Sequence, residues 1–524
     1  MYYYFAIALT GSIVLGVEVL SSRILTPYFG VSLYIWASIL IITLIGLAAG
    51  YFYGGVLTRK KGLEDIRATF SHFLTIAALA LCLSAALYPH VFPALMKLHL
   101  VLGSLVASVI LMAVPLFLFS ALNSFVIVLA RAGKSEGGDA GAGTVFFIST
   151  LGSVAGVAIT AFLIIPLLSN TVGLMVFSLI TALLSFAGAL FYLSDHQGKR
   201  RAWSLAALAV ACSIGLLVIE IGYPKTKFED KDGVVWHVLE ERHSMFGSIK
   251  VVDRVSNDGS LRYYFNDGMV QDVVQQDGLS AATFTYVLTS LVKQYAPDAR
   301  NILFLGLAAG VVPNDFSPPR YKTEIVEINP DSLDIAKRYF GFEDKGRTVH
   351  IQDARTFISS CKGRFDVIVF DMFHGDGVPD YLLTQEFFQQ IKLCGTKDSI
   401  IVMNTTDDRY DPQVRNAILA TVNTAFSNVF YFLDTIPDLP IRNAFILASN
   451  RDLVATSVSG TVLDNIIPSL DAALSSRQAI SQSFYGYAAS LSDNHNVYSV
   501  LSVGMNMRYR RMIQGYLPDG LYKS

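Results

Sequence analysis

The chain has 524 residues, 52% of them hydrophobic and 16% charged, with a mean hydropathy of +0.46. Of its 40 basic and 42 acidic side chains, only eleven and seven fall in the first 222 positions, so two stretches suited to different solvents share one polypeptide. A wholly water-soluble enzyme and a chain that is only a transporter are both excluded, and a net charge of −2 leaves no basic stripe for a nucleic acid partner.

In chain order, seven apolar runs come first, roughly at 3–22, 33–55, 70–89, 101–130, 144–167, 171–193 and 203–222. Each matches the length of about 20 residues that a helix needs to cross a hydrocarbon core. Residues 1–222 are therefore expected to form a multi-pass α-helical membrane domain of about seven spans, in contact with a lipid bilayer. The first run is not expected to be a cleavable signal, because no basic segment precedes it and further runs follow. Pro115 lies inside the fourth run and predicts a kink. Gly152 and Gly156, one helical turn apart, predict a seam of close helix packing. Glu18 and Arg23 near the end of the first run either pair, face a cavity or reach to the interface.

The connections after the second, fourth and sixth runs carry nine basic residues: Arg59, Lys60, Lys61, Arg67, Arg131, Lys134, Lys199, Arg200 and Arg201. The positive-inside rule puts that side in the cytoplasm and, with seven spans, the rest of the chain outside. Lys225, Lys227 and Lys231, just after the last run, pull the other way. The expectation adopted is a cell (inner) membrane protein whose soluble domain faces the cytoplasm. Cys82, Cys212, Cys361 and Cys394 lack CxxC spacing and are expected to be buried and reduced. The nine histidines show no metal-ligand spacing, so no metal is expected.

Residues 223–277 alternate in short strands and predict a small β lobe, with a turn at Ser256–Gly259 and another at Asn266-Asp267-Gly268. Residues 278–524 predict an α/β Rossmann-like domain of the methyltransferase type. Its strands are expected at Asn301–Leu305, Thr323–Ile328, Thr348–Gln352 and Phe365–Phe370, with a helix after each of the first three. Three carboxylates follow successive strands, Glu327, Asp353 and Asp371. In open α/β sheets ligands bind outside those strand ends, so the three are expected to share a crevice. Glu327 lies 21 positions beyond Gly306, a separation suited to a ribose diol when Gly306 opens the turn under a nucleoside. Asp353 is placed for an adenine amino group, with Ala354 leaving room for the ring. The turn Gly306 to Gly310 has neither dinucleotide nor triphosphate spacing, and a nucleoside without phosphates fits it better. Singly, each acid is equally well explained as a helix cap.

Several segments together carry a family resemblance: Ser244–Ile249, Asp267-Gly268-Met269-Val270-Gln271, Glu327-Ile328-Asn329-Pro330, Asp353-Ala354-Arg355, Asp371–Pro379 and Leu383–Phe388. Residues 230–450 resemble the spermidine synthase family, and the whole chain, with Ser149–Gly156 in its first half, resembles the bacterial membrane-fused members of that group. The resemblance implies aminopropyl transfer from decarboxylated S-adenosylmethionine to putrescine or another amine, with methylthioadenosine leaving and no prosthetic group. It implies that Asp371 is the catalytic proton acceptor, that Gln271, Gly306, Gly310, Glu327, Asp353 and Ala354 bind the nucleoside, and that Asp371, His374 and Asp376 meet the amine. The chain departs from the family pattern at Ala308 and Ala309, where more glycine and an acid are usual, and at His374 in place of a second acid. Two other readings remain: methyl transfer from S-adenosylmethionine to a membrane-proximal substrate, and a transporter or sensor whose soluble domain only binds a nucleoside. A homo-oligomer is compatible with all three.

Overall fold

A computed structural model describes the chain except residues 132–140, 193–195, 231, 258, 374, 435–438, 457–462, 519–520 and 522–524, and the side chains of 192 and 196–198. Two compact units are present. One comprises Met1–Lys225 with His243–Met245 and Asp519–Ser524; the other comprises Thr226–Arg242 with Phe246–Pro518.

The first unit contains seven helices long and apolar enough to cross a membrane: α1 (Tyr2–Phe29), α2 (Leu33–Lys60), α3 (Leu63–Leu95), α4 (Leu100–Arg131), α5 (Ala142–Leu167), α6 (Asn170–Phe191) and α7 (Lys199–Gly222). The expected glycine seam joins α5 to α1. A Cβ on Gly152 would stand 2.1 Å from the Ala8 carbonyl oxygen and one on Gly156 2.1 Å from that of Ser12, while Ser153 Oγ donates to the Gly11 carbonyl at 3.0 Å. Pro115 is accommodated by a local change of helix type. Residues Val109–Ala113 form a π-helical turn just before it, and Thr160–Ile164 do the same before Pro166. A proline removes one backbone donor and crowds the preceding turn; widening that turn by one residue makes room. Glu18 hydrogen-bonds Thr43 of α2.

The second unit opens with a five-stranded sheet in chain order, β1 (Lys227–Glu229), β2 (Val235–Ser244), β3 (Gly247–Ser256), β4 (Gly259–Asn266) and β5 (Met269–Gln275). Asp267 and Gly268, both at positive φ, form the tight turn between β4 and β5. After α8 (Thr283–Tyr295) comes the larger sheet. Its strands are β6 (Asn301–Leu305), β7 (Lys322–Glu327), β8 (Thr348–Ile351), β9 (Phe365–Phe370), β10 (Gly395–Asp408), β11 (Asn428–Leu433), β12 (Ile441–Ser449) and β13 (Gln478–Ala479). They lie in the order β13-β11-β12-β10-β9-β6-β7-β8. The run β10-β9-β6-β7-β8 is parallel and the remaining pairs are antiparallel. Between the strands run α9 (Pro330–Tyr339), α10 (Ala354–Ser360), α11 (Gln385–Cys394) and α12 (Gln413–Val422), followed near the C-terminus by α13 (Ile467–Ser475) and α14 (Val503–Tyr516). Val367, Ile368, Val369 and Phe370 of β9 are fully buried, as a strand covered on both faces requires.

The helix expected after the Gly306 loop is present but is a single turn, Val311–Asn314, with Pro318 and Pro319 barring its extension. One expectation is corrected. Cys361 and Cys394 are joined in a disulfide, with their Cα atoms 4.7 Å apart. Spacing in sequence concealed the pair, since the ends of α10 and α11 meet beside β9.

A Gly156→Leu substitution should force α1 and α5 apart and lower stability by about 1–3 kcal/mol or more. Thermal unfolding of the purified full-length protein in detergent measures it; an unchanged Tm would contradict the seam.

Candidate functional site

The order of the parallel strands creates the site. From β6 the chain winds outward through β7 and β8, then returns to the other side of β6 for β9 and β10. The switch point lies between β6 and β9, where connections depart in opposite directions and leave a crevice at the carboxyl ends. Gly306 follows β6 there with φ +98°, and a Cβ on it would meet the Asp371 carbonyl oxygen at 2.1 Å, so only glycine fits. Gly310 closes the turn at φ +74° against Phe342. Between them Ala308 adopts φ +47°, a conformation costing a non-glycine residue roughly 1–2 kcal/mol. The peptide groups of the turn are held in place by acids around it.

Glu327, ending β7, accepts the Leu307 N–H at 3.1 Å and the Asn329 N–H at 2.8 Å. Burial raises its pKa, and the surrounding backbone N–H groups oppose the rise. Asp371, just past β9, accepts a hydrogen bond from Asn404 Nδ2 at 2.9 Å. Burial pushes its pKa up to about 6, against the lowering effect of that hydrogen bond. Adjacent strands stand about 4.8 Å apart, so Glu327 and Asp371, on the strands flanking β6, are roughly 10 Å apart. A carboxyl titrating near 6 is ionised at neutral pH yet basic enough to take a proton from a bound ammonium.

The other expected residues are placed differently. Asp353 is the N-cap of α10, accepting Thr356 N at 2.8 Å and Thr356 Oγ1 at 3.0 Å, and its second oxygen accepts the Tyr381 hydroxyl at 2.7 Å. It sits on the same sheet edge, one strand beyond Glu327, with its carboxylate in structural use. Ala354, the first residue of α10, is buried beside Leu303, Val326 and Phe357. Gln271 is the extra residue of a β-bulge, skipped between the pairs Tyr264–Asp272 and Phe265–Val270, and it donates to the Gly375 carbonyl at 2.8 Å. It holds the loop after β9 rather than pointing free into the crevice. Asp376, expected to attract an amine, is 3% exposed and paired at 2.5 Å with Arg510 of α14, itself 2% exposed. Its charge is thus already neutralised. His374 lies outside the described residues.

Three side chains around the candidate site escaped the sequence reading. Asn404, 4% exposed in β10, orients Asp371. Arg510 anchors the loop after β9 from 134 positions away. Asp272 of β5 is 5% exposed, and its carboxylate accepts the Ala309 N–H. A carboxylate therefore reaches the turn from a neighbouring strand although Ala308 and Ala309 bring none. The β lobe is fixed for this purpose by Tyr264, whose hydroxyl is 3.0 Å from Ser332 Oγ, and by Arg242, paired with Asp331 of α9 at 3.0 Å. Among the described residues no group of three His, Cys, Asp or Glu side chains is placed to hold a metal ion.

Arg510→Met should destabilise the protein by about 3–5 kcal/mol by stranding the buried Asp376 carboxylate, and Asp376→Asn added to it should recover most of the loss. Denaturant unfolding of the single and double variants measures both.

Comparison with known proteins bears on residues 287–456, which match the spermine/spermidine synthase domain family. A polyamine aminopropyltransferase of Vibrio vulnificus (strain CMCP6) is 34% identical over 158 residues, 28% of this chain and 51% of that protein, so the chain spans about half of this curated relative's length. The eEF1A lysine and N-terminal methyltransferase of Mus musculus is 30% identical over 139 residues, 24% of this chain and 20% of that protein. Among solved structures, a probable spermidine synthase from Corynebacterium glutamicum ATCC 13032 aligns with a TM-score of 0.40 at 18% identity, covering 49% of this chain and 95% of that one. The C-terminal part of this chain is a spermidine synthase domain.

Proposed function

We propose that the chain is an integral membrane aminopropyltransferase that moves an aminopropyl group from decarboxylated S-adenosylmethionine to putrescine or a similar amine. The observation that carries this reading is Asp371, a carboxyl poised near pH 6 at the switch point and oriented by Asn404. An alkyl ammonium cannot attack until it gives up a proton, and Asp371 receives that proton. The amine nitrogen then displaces the sulfonium: the new C–N bond forms as the C–S bond breaks, and methylthioadenosine leaves with the electron pair. Glu327 and the turn from Gly306 to Gly310 hold the nucleoside, with Glu327 facing the ribose hydroxyls. The family match over 287–456 supports the donor class. The likeness to a protein methyltransferase supports a second reading, methyl transfer from S-adenosylmethionine, which uses the same turn and strand ends.

Full-length protein in detergent, given decarboxylated S-adenosylmethionine and putrescine, should release methylthioadenosine; S-adenosylhomocysteine formed from S-adenosylmethionine would favour the second reading. Asp371→Asn should slow turnover by about 10²–10⁴-fold while nucleoside binding persists. Because the base is the ionised form, activity should fall about tenfold per pH unit below about 6 and level off above it. A wild-type acid limb retained in Asp371→Asn would remove Asp371 from the mechanism.

The reading also carries a location. A cytoplasmic donor requires the catalytic unit on the cytoplasmic face of the cell membrane, whereas nine basic residues and the Cys361–Cys394 disulfide favour the opposite face. A reporter fused after Ser524 is therefore a severe test: cytoplasmic fluorescence is expected, and an active exported phosphatase would exclude a cytoplasmic donor.

A further inference from the structure

We propose, resting on the aminopropyltransferase reading, that Asp272 selects the donor: its carboxylate binds the ammonium at the end of the transferred chain and refuses a donor that carries a carboxylate there. Asp272 is 5% exposed, and one of its oxygens, Oδ1, has no hydrogen-bond partner among the described residues. Its carboxylate is tied to the turn through the Ala309 N–H, so it belongs to the nucleoside turn and not to the surface of the β lobe. No lysine or arginine pairs with it among the described residues, and a buried acid without a cation is costly unless it is protonated or a ligand brings the charge.

Asp371 stands close enough for its charge to act on Asp272. Two acids bordering one turn attract a cation and repel an anion. The two candidate sulfonium nucleosides differ in this respect alone: the chain of S-adenosylmethionine ends in an ammonium and a carboxylate, and that of the decarboxylated form ends in an ammonium only. A third carboxylate brought beside Asp272 and Asp371 would be repelled, whereas a lone ammonium fills the open acceptor. Burial and the Asp371 charge both push the Asp272 pKa up, and an ammonium bound against it would favour the ionised form. Ligand binding should therefore release a proton, visible as a buffer-dependent heat.

Isothermal titration of the full-length protein in detergent with decarboxylated S-adenosylmethionine, S-adenosylmethionine and methylthioadenosine tests this. Wild type should bind the decarboxylated donor about tenfold or more tightly than S-adenosylmethionine. Asp272→Asn should erase that preference and the proton release, leave methylthioadenosine affinity within about twofold, and be rescued in part by Asp272→Glu. An Asp272→Asn protein that keeps the preference overturns the inference and leaves the proposed function standing. Equal weakening of all three ligands also overturns it, by showing a structural role. A wild-type protein that binds neither sulfonium refutes the proposed function and this inference with it.

Discussion

The second unit is organised around the hydrogen-bonding needs of one five-residue turn. Gly306 to Gly310 must leave β6 at the switch point, pass within contact of the Asp371 backbone and still satisfy its own N–H groups. It does so by donating to acids on neighbouring strands, Leu307 to Glu327 and Ala309 to Asp272. The same acids form the candidate site, so the interactions that shape the turn also set its charge. The left-handed conformation of Ala308 is the local strain that these contacts sustain.

Around this centre the remaining elements act as supports. The β lobe brings Asp272 in through a bulge, because one extra residue in β5 re-aims its neighbours toward the α/β sheet. β10 supplies Asn404, and α14 supplies Arg510, which fixes the loop beyond Asp371 through Asp376. In the helical unit the corresponding constraint is on the backbone. A helix interior has to satisfy its own carbonyl and N–H groups, and the π turns ahead of Pro115 and Pro166 make room for the donor each proline lacks.

What the sequence made legible depended on local signals. Seven apolar runs announce themselves by length, and Glu327 and Asp371 stand out because each ends an apolar strand. The Gly152/Gly156 seam was readable because two small residues one turn apart have few other uses in a span. Long-range pairings left no comparable mark. Asp376 looked available until α14 delivered Arg510, and the cap that Asp353 makes on α10 was one of the two readings its position allowed. Asp272 sits beside Gln271 in a segment singled out by resemblance, yet its importance depends on a bulge register that alternation of polar and apolar residues does not encode.

The Cys361–Cys394 bridge has a consequence for the chain it encloses. It closes a ring that contains β9, Asp371 and the entire loop through Thr384, the two cysteines standing 33 positions apart. In the chain-entropy picture a ring of this size restrains the unfolded polypeptide by about 3–5 kcal/mol. The segment bearing the candidate acid is thus a covalent hoop whose integrity follows the thiol–disulfide balance of its surroundings.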